Sequence, residues 1–390
     1  MPKVTWHIRL ATLVVVLVAL PACASSSSKS STTSTSPRPV PVRHLALIDA
    51  KTGAIDRDFP DANDMVLSTV ADGNGGWYVG GAFTRVGKVA QRGLALLRRD
   101  GTLDPAFAPN LPGDHYVDQL LRHGGVVYAG GDFGFVALDA RSGRRLWRVS
   151  IGSGDQANAL AFGNGVLYVS GDFTHIGGVA RDGIAALDPA SGKPTAWQVH
   201  LSTGVTGTPA AVGPVAGADG VVYLSGDFNR VYGVKRELGL AAVSPRTGLP
   251  LPTPWVAQLF EDATAILVSH GQVLVGSDFH DSSFAVFDAR TARQLPWRDR
   301  LGGDASTFAV SGDTVYLGSA CPNTAFPSNC YGFDHAGGKP ANSLAAVVLP
   351  AGRFTNWRPN LDRCTLVYAI AVSGDKVLVA GYFSSSSCSS

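Results

Sequence analysis

Six aspartates return at one point of the chain's rhythm: Asp64, Asp114, Asp155, Asp262, Asp304 and Asp362. If they face a common opening, their carboxylates crowd, raise one another's pKa values and favour a bound cation or amine. If they face outward, they are turn residues accepting backbone N–H bonds, as Asp commonly does in loops. Both readings stand at this level. A second set is basic: Arg85, Lys88, Arg92, His175, Arg181, Arg230, Lys235 and Arg236. It reads as a solvated rim or, more sharply, as a surface for an anionic polymer or partner.

Other chemistry is thin. No H-E-x-x-H, G-x-S-x-G or P-loop string is present. The stretch Gly152 to Ala157, GSGDQA, imitates a dinucleotide glycine pattern but leads into a strand, so no helix N-terminus is there to hold phosphate. His280 beside Asp281 and Asp334 beside His335 form acid/base neighbours, yet 9 histidines in 390 residues produce such pairs by chance. Asp132, Asp172, Asp227 and Asp278 each precede Phe; a carboxylate repeated in this way suggests a structural task such as holding the following loop.

The first residues point to an exported chain, in which the cysteines are then read. Lys3, His7 and Arg9 precede an apolar stretch, Leu10 to Leu20, too short for a comfortable membrane span and proportioned as a secretory signal. It ends Leu20-Pro21-Ala22-Cys23, which resembles the bacterial lipobox and implies cleavage before Cys23 and acylation of its thiol; cleavage after Ala24 is the alternative. Ser25 to about Val42 is Ser/Thr-rich and then Pro-rich, a flexible tether. Cys321, Cys330, Cys364 and Cys388 remain, and three pairings are possible. The favoured pairs are Cys321 with Cys330 and Cys364 with Cys388. Their spacing matches no zinc signature, so no metal site is assigned.

Composition agrees with an all-β extracytoplasmic protein. Gly 46 and Pro 23 supply many turns, and an apolar share of 45% is ample for a large core. A net charge of +2, with no basic tract interleaved with aromatics, argues against nucleic acid as a partner.

The elements that must position these residues come from one repeated strand. It reads WYVGGAF from Trp77, VYAGGDF from Val127, LYVSGDF from Leu167 and VYLSGDF from Val222, with looser copies at Val273, Val315 and Val377. A spacing of roughly 40 to 60 residues is that of propeller blades. Each copy is read as a second strand. A first strand precedes it, as in ANALAF from Ala157 joined by the Asn164-Gly165 turn. A third follows, as in GIAAL from Gly183, and a fourth ends in an aromatic: Phe107, Trp147, Trp197, Trp255, Trp297 or Trp357. The seventh copy lacks its outer strands, and His44 to Asp49 followed by Phe59 lacks its inner ones. Joining the two completes a seventh blade from both termini and removes exposed sheet edges.

The segments from Tyr78 to Phe107 and from Tyr168 to Asp188 resemble bacterial β-propeller repeats of the delta-sixty type, which implies the fold and no defined reaction. Ala137 to Gly143 with Trp147, and Ala186 to Gly192 with Trp197, are similar to the tryptophan-docking repeat of pyrroloquinoline-quinone dehydrogenases, in which the motif packs blades together. No vicinal cysteine pair or calcium-ligand set accompanies it, so no cofactor is expected; the quinone or a divalent cation ranks second.

The expectation is therefore a signal in residues 1–22, a tether in 23–43 and an all-β seven-bladed propeller of four-stranded blades in 44–390. Long connections on one face are where binding residues sit. Among them are Thr84 to Arg92, Thr174 to Asp182, Asn229 to Leu238, Ser202 to Pro214 and Pro322 to Asn342. The expected protein is a monomer, lipid-anchored to the extracytoplasmic face of the cell membrane. It binds a protein, glycan or small ligand through that face. The alternative is a propeller enzyme, a quinoprotein-like oxidoreductase or a polysaccharide-active lyase or hydrolase.

Overall fold

The repeated strand is apolar at nearly every position because it is buried on both faces. In the computed structural model Trp77–Gly81 is buried throughout, as is Val127 to Gly131, and so is Leu167 to Gly171. A continuous apolar run is what a strand between two neighbouring sheets requires. The structure describes residues 43–111, 116–203, 211–218, 220–235, 240–251, 263–277, 284–296, 301, 305–319, 335–341, 343–361 and 364–384.

Among the described residues the strands form seven principal antiparallel sheets. The first holds Val66–Ala71, Trp77–Gly81 and Leu94–Leu97, and the next four-stranded one runs from Gln119–His123 to Arg145–Val149. The sheet at the chain ends pairs Leu45–Asp49 with Lys376–Ser384, in the register Leu45 with Ala380 and Ile48 with Val377. Cys364–Ser373 completes its inner side and Ile55–Asp56 its outer side. Each sheet's first strand packs against the first strand of the next; Cys364–Ser373 touches both Thr307–Ser311 and Val66–Ala71.

The apolar core is divided in the same way. Each buried cluster joins two consecutive sheets, for example Tyr168 and Ala186 with Val222 and Leu224. Another joins Leu45 and Leu378 with Trp77 and Val79. The paired small residues of the repeat make this close stacking possible. A Cβ on Gly80 would stand 2.6 Å from Val117, and one on Gly318 2.5 Å from Val367, both on the next sheet. A Cβ on the following glycine, Gly81 or Gly171, would collide with the carbonyl of Met65 or Gln156 in its own sheet. Side chains are thus excluded from both positions for different reasons.

Aromatic residues bolt one sheet to the next. The indole N–H of Trp147 donates to the carbonyl of Pro189 at 2.8 Å, and that of Trp197 to Ser244 at 3.0 Å. Both acceptors lie in the outer turn of the following sheet. The second-strand tyrosines repeat the bond: Tyr78 donates to Ala140, and Tyr316 to Ala50 at 3.2 Å. Tyr168 packs edge-on against Trp197 with ring centres 5.2 Å apart, which adds to burial the preference of aromatic pairs for such a geometry.

Two expectations are corrected. Among the described residues four-stranded order is found in three of the principal sheets; in the others the outermost described segment makes a single bridge. In two of these the bridge residue is a proline, Pro194 or Pro250, which has no N–H to extend a ladder. Secondly, the segments expected as plain loops after the second strand contain small hairpins. The Asn164-Gly165 turn is as expected, with φ of 53° and 78°, the positive values a two-residue hairpin connection needs.

Candidate functional site

Among the described residues four hairpins follow second strands. Arg85–Val86 pairs with Val89–Ala90, His175–Ile176 with Val179–Ala180, Arg230–Val231 with Val234–Lys235, and His335–Ala336 with Lys339–Pro340. Each pins itself by one small apolar residue to the segment leading in from the preceding sheet: Val86 to Ala62, Ile176 to Ile151, Val231 to Leu201 and Ala336 to Leu301. The four pins are buried. The residue across the turn is not. Val89 is 55% exposed, Val179 39% and Val234 53%, while the fourth hairpin carries exposed Lys339 there. Scattered surface valines are ordinary, but three at equivalent positions on pinned hairpins form a pattern.

Charge accompanies these valines. Arg85, Lys88, Arg92, His175 and Arg230 are exposed on or beside the hairpins. Arg230 reaches back to the carbonyl of Gly233 at 3.1 Å. Arg181 is different: it donates to Ala180 at 2.8 Å and Thr195 at 2.6 Å, tying its own hairpin to the outer turn. It is a structural group. Asn63 orders the first hairpin, its side-chain carbonyl accepting the main-chain N–H of Thr84 at 3.0 Å and of Arg85 at 2.7 Å. Arg236 and the side chain of Lys235 lie outside the described residues.

Of the six aspartates, Asp64 and Asp155 are described. Asp64 is exposed and accepts the N–H of Met65 at 2.7 Å, a local turn contact. Asp155 is half-buried beside Asp172 and His175. Burial and then the Asp172 charge raise its pKa, against a smaller lowering by His175. Asp114, Asp262, Asp304 and Asp362 lie outside the described residues. So do Cys23, Cys321, Cys330 and Cys388, the side chain of Cys364, Trp255, Trp297, His280, Asp281 and Asp334. Asp172 has a structural task, as expected of the repeated Asp, but a different one from holding the following loop: its carboxylate accepts the N–H of Gln156 at 2.5 Å, fixing the start of the first strand.

Sequence reasoning missed Asp118. It precedes the strand Gln119–His123, where Leu67 and Asn158 bulge out of register in the neighbouring sheets. Burial and the nearby Asp132 charge push its pKa up to about 7. A carboxyl replacing Leu67 or Asn158 at one position of the repeat is a signal that alignment of the copies reveals. Among the described residues no group of three or more His, Cys, Asp or Glu side chains is arranged to hold a metal ion. No helix among them is long and apolar enough to cross a membrane.

Known proteins agree with this architecture. A chain of the mitotic checkpoint complex superposes with a TM-score of 0.55 at 13% identity, over 94% of this chain and 99% of that one. The computationally designed Ika8 protein superposes with a TM-score of 0.51 at 12% identity, over 88% and 100%. At such identities the likeness concerns the fold alone. No curated protein matches the chain. Residues 73–107, which span the first of the repeats and its hairpin, match a β-propeller domain of unknown function, DUF5122. Residues 123–343 match a second family model over more than half of the chain, through the stretch in which Trp147 and Trp197 bolt consecutive sheets. The chain belongs to that PQQ-like β-propeller repeat family, whose model is described as outer membrane protein assembly factor BamB.

Proposed function

We propose that this protein is an exported, lipid-anchored binding module: a seven-bladed ring closed by its two termini, which engages a partner through the hairpin face. The ring reading is supported by the cyclic order of first-strand contacts and by the terminal sheet. The anchor reading rests on Cys23 and the tether behind it. A partner protein is favoured over a glycan or small ligand, because the family model is described as an outer membrane protein assembly factor.

The observation that carries the binding reading is the triplet Val89, Val179 and Val234, each exposed at the same place on a hairpin that a buried residue holds still. Rigid apolar tips flanked by Arg85, Lys88 and Arg230 offer desolvation at the contact and charge at its rim. A photo-crosslinking residue at position 89, 179 or 234, in cells producing the full chain, tests it. Discrete adducts from these positions, and none from the equally exposed Leu249 in an outer turn, are expected. Absence of adducts, or the same adducts from position 249, contradicts the reading.

A further inference from the structure

Away from the hairpins, at the opposite end of the second strands, the first sheet and its four-stranded neighbour leave a cleft of about 750 Å³ between them. Its walls are the turn at Asp72 to Gly76, the turn beginning at Arg98, the Arg122 to Gly125 turn and the outer turn at Ala140 and Arg141. Four arginines and two aspartates face it, so its lining is net positive.

Arg122 is the unusual member. Its guanidinium lies over Gly73, where a Cβ would stand 2.9 Å from Nη1 and 3.3 Å from Cζ, so the missing side chain is what makes room for it. Its Nε is buried and without a hydrogen-bond partner. Among the described residues no carboxylate is in ion-pair contact with it. The two carboxylates that line the cleft bond to other groups, Asp72 through its Oδ1. Asp72 accepts the N–H groups of Asn74 and Gly76, both at 2.7 Å, and Asp104 pairs with Arg98 at 3.2 Å. The Tyr78 hydroxyl donates to the carbonyl of Ala140, so its oxygen is free to accept from the guanidinium and brings no negative charge.

A partly buried cation with an idle donor is costly unless an anion completes it, and guanidinium forks match planar oxyanions in geometry. Arg98 is bound through one nitrogen and is about half exposed. Four of its five N–H donors therefore remain for a ligand at the mouth, and Arg141 is exposed beside it. We propose that this cleft binds a small oxyanion, a carboxylate or a phosphate, seated on Arg122 and flanked at the mouth by Arg98 and Arg141. The site does not depend on the hairpin face.

The test is calorimetric titration of the full chain at low ionic strength with inorganic phosphate and, separately, citrate. It is paired with the NMR signal of the Arg122 Nε–H. Saturable binding of either anion with movement of that signal supports the site, and the tighter of the two identifies the ligand as phosphate or carboxylate. Arg122→Gln should weaken binding about tenfold or more, with Arg122→Lys intermediate and a change at the exposed Arg246 of another outer turn, Arg246→Gln, without effect. If Arg122→Gln does not fold, the double variant Arg98→Gln with Arg141→Gln should still weaken binding at least about threefold. No saturable binding by either anion, or equal loss in Arg246→Gln, overturns the proposal.

Discussion

The indole N–H of Trp357 donates to the main-chain carbonyl of Asp49 at 2.9 Å, a hydrogen bond between residues 308 apart in sequence. It is the same bond that Trp147 makes to Pro189 and Trp197 to Ser244, but here the acceptor is the first strand of the folded chain. A repeated packing device thus ties the last outer segment to the beginning.

If the three tryptophans do one job, their removal should have similar costs. Trp147→Ala, Trp197→Ala and Trp357→Ala should each lose about 3–5 kcal/mol of stability in urea unfolding, through the cavity left between sheets. Tryptophan to phenylalanine keeps most of the burial and should cost less, with the hydrogen bond contributing about 1 kcal/mol. A Trp357 variant much milder than the other two would mark the terminal junction as loose.

Gly192 has a φ of 69° and lies against Trp147, where a Cβ would stand 2.5 Å from the indole. Gly165 has a φ of 78° and open space around it. Gly165→Ala should therefore cost about 1 kcal/mol, from backbone conformation alone. Gly192→Ala should cost about 2 kcal/mol or more, since the clash adds to it. Equal losses would mean that the docking contact is not tight.

Asp118 gives the protein a pH dependence of known sign. Its folded pKa of about 7, raised by burial and then by Asp132, lies above its ordinary value of 3.8. Between these values the folded state holds a proton that the unfolded state has released, so stability falls as pH rises through the window and levels off above it. Asp118→Asn should stabilise the protein by on the order of 2 kcal/mol at pH 8, after discounting for partial solvent access, and by little at pH 4. The variant and the parent should converge in acid when urea midpoints are compared. A variant that destabilises at pH 8 would show the ionised carboxylate to be a favourable partner in the fold.

The outer turns respond to acid in the opposite direction. Asp139, Asp188 and Asp288 each accept a hydroxyl and a main-chain N–H from the residue three positions on, Ser142, Ser191 or Thr291, and these bonds depress their pKa values. Such groups contribute stability above their unfolded pKa and lose it as pH falls through the lower folded value. Asp188→Ala should lower the melting temperature at pH 7, and it should couple with Trp147→Phe in a double-mutant cycle because Trp147 bonds to the same turn. Strict additivity of the two changes would uncouple turn and bolt.

How far the sequence carried this reading depended on whether a residue's role repeats. The second strands, the Asn164-Gly165 turn and the pairing of Leu45–Asp49 with the last strand were legible because several copies of one pattern average out local noise. The hairpins were hidden inside segments rich in glycine and charge, since two-residue strands carry too few side chains to show alternation. Asp118 is harder to read for the converse reason: aligning the copies marks it as a departure from the repeat, but its meaning lies in burial and in Asp132, which spacing does not report. Arg122 occupies no position that the repeat marks, and the Gly73 turn beneath its guanidinium is brought there by the fold alone.

Hydrogen exchange on the terminal sheet tests most directly whether head and tail close the ring. The amides of Leu45 to Asp49 should be protected to the level of Val377 to Ala380 and open with the global unfolding free energy. Deleting residues up to Asp49 should accelerate exchange in the Lys376–Ser384 strand. Amides of Leu45 to Asp49 that exchange as fast as a frayed end, with Val377 to Ala380 unaffected by the deletion, would contradict the closure.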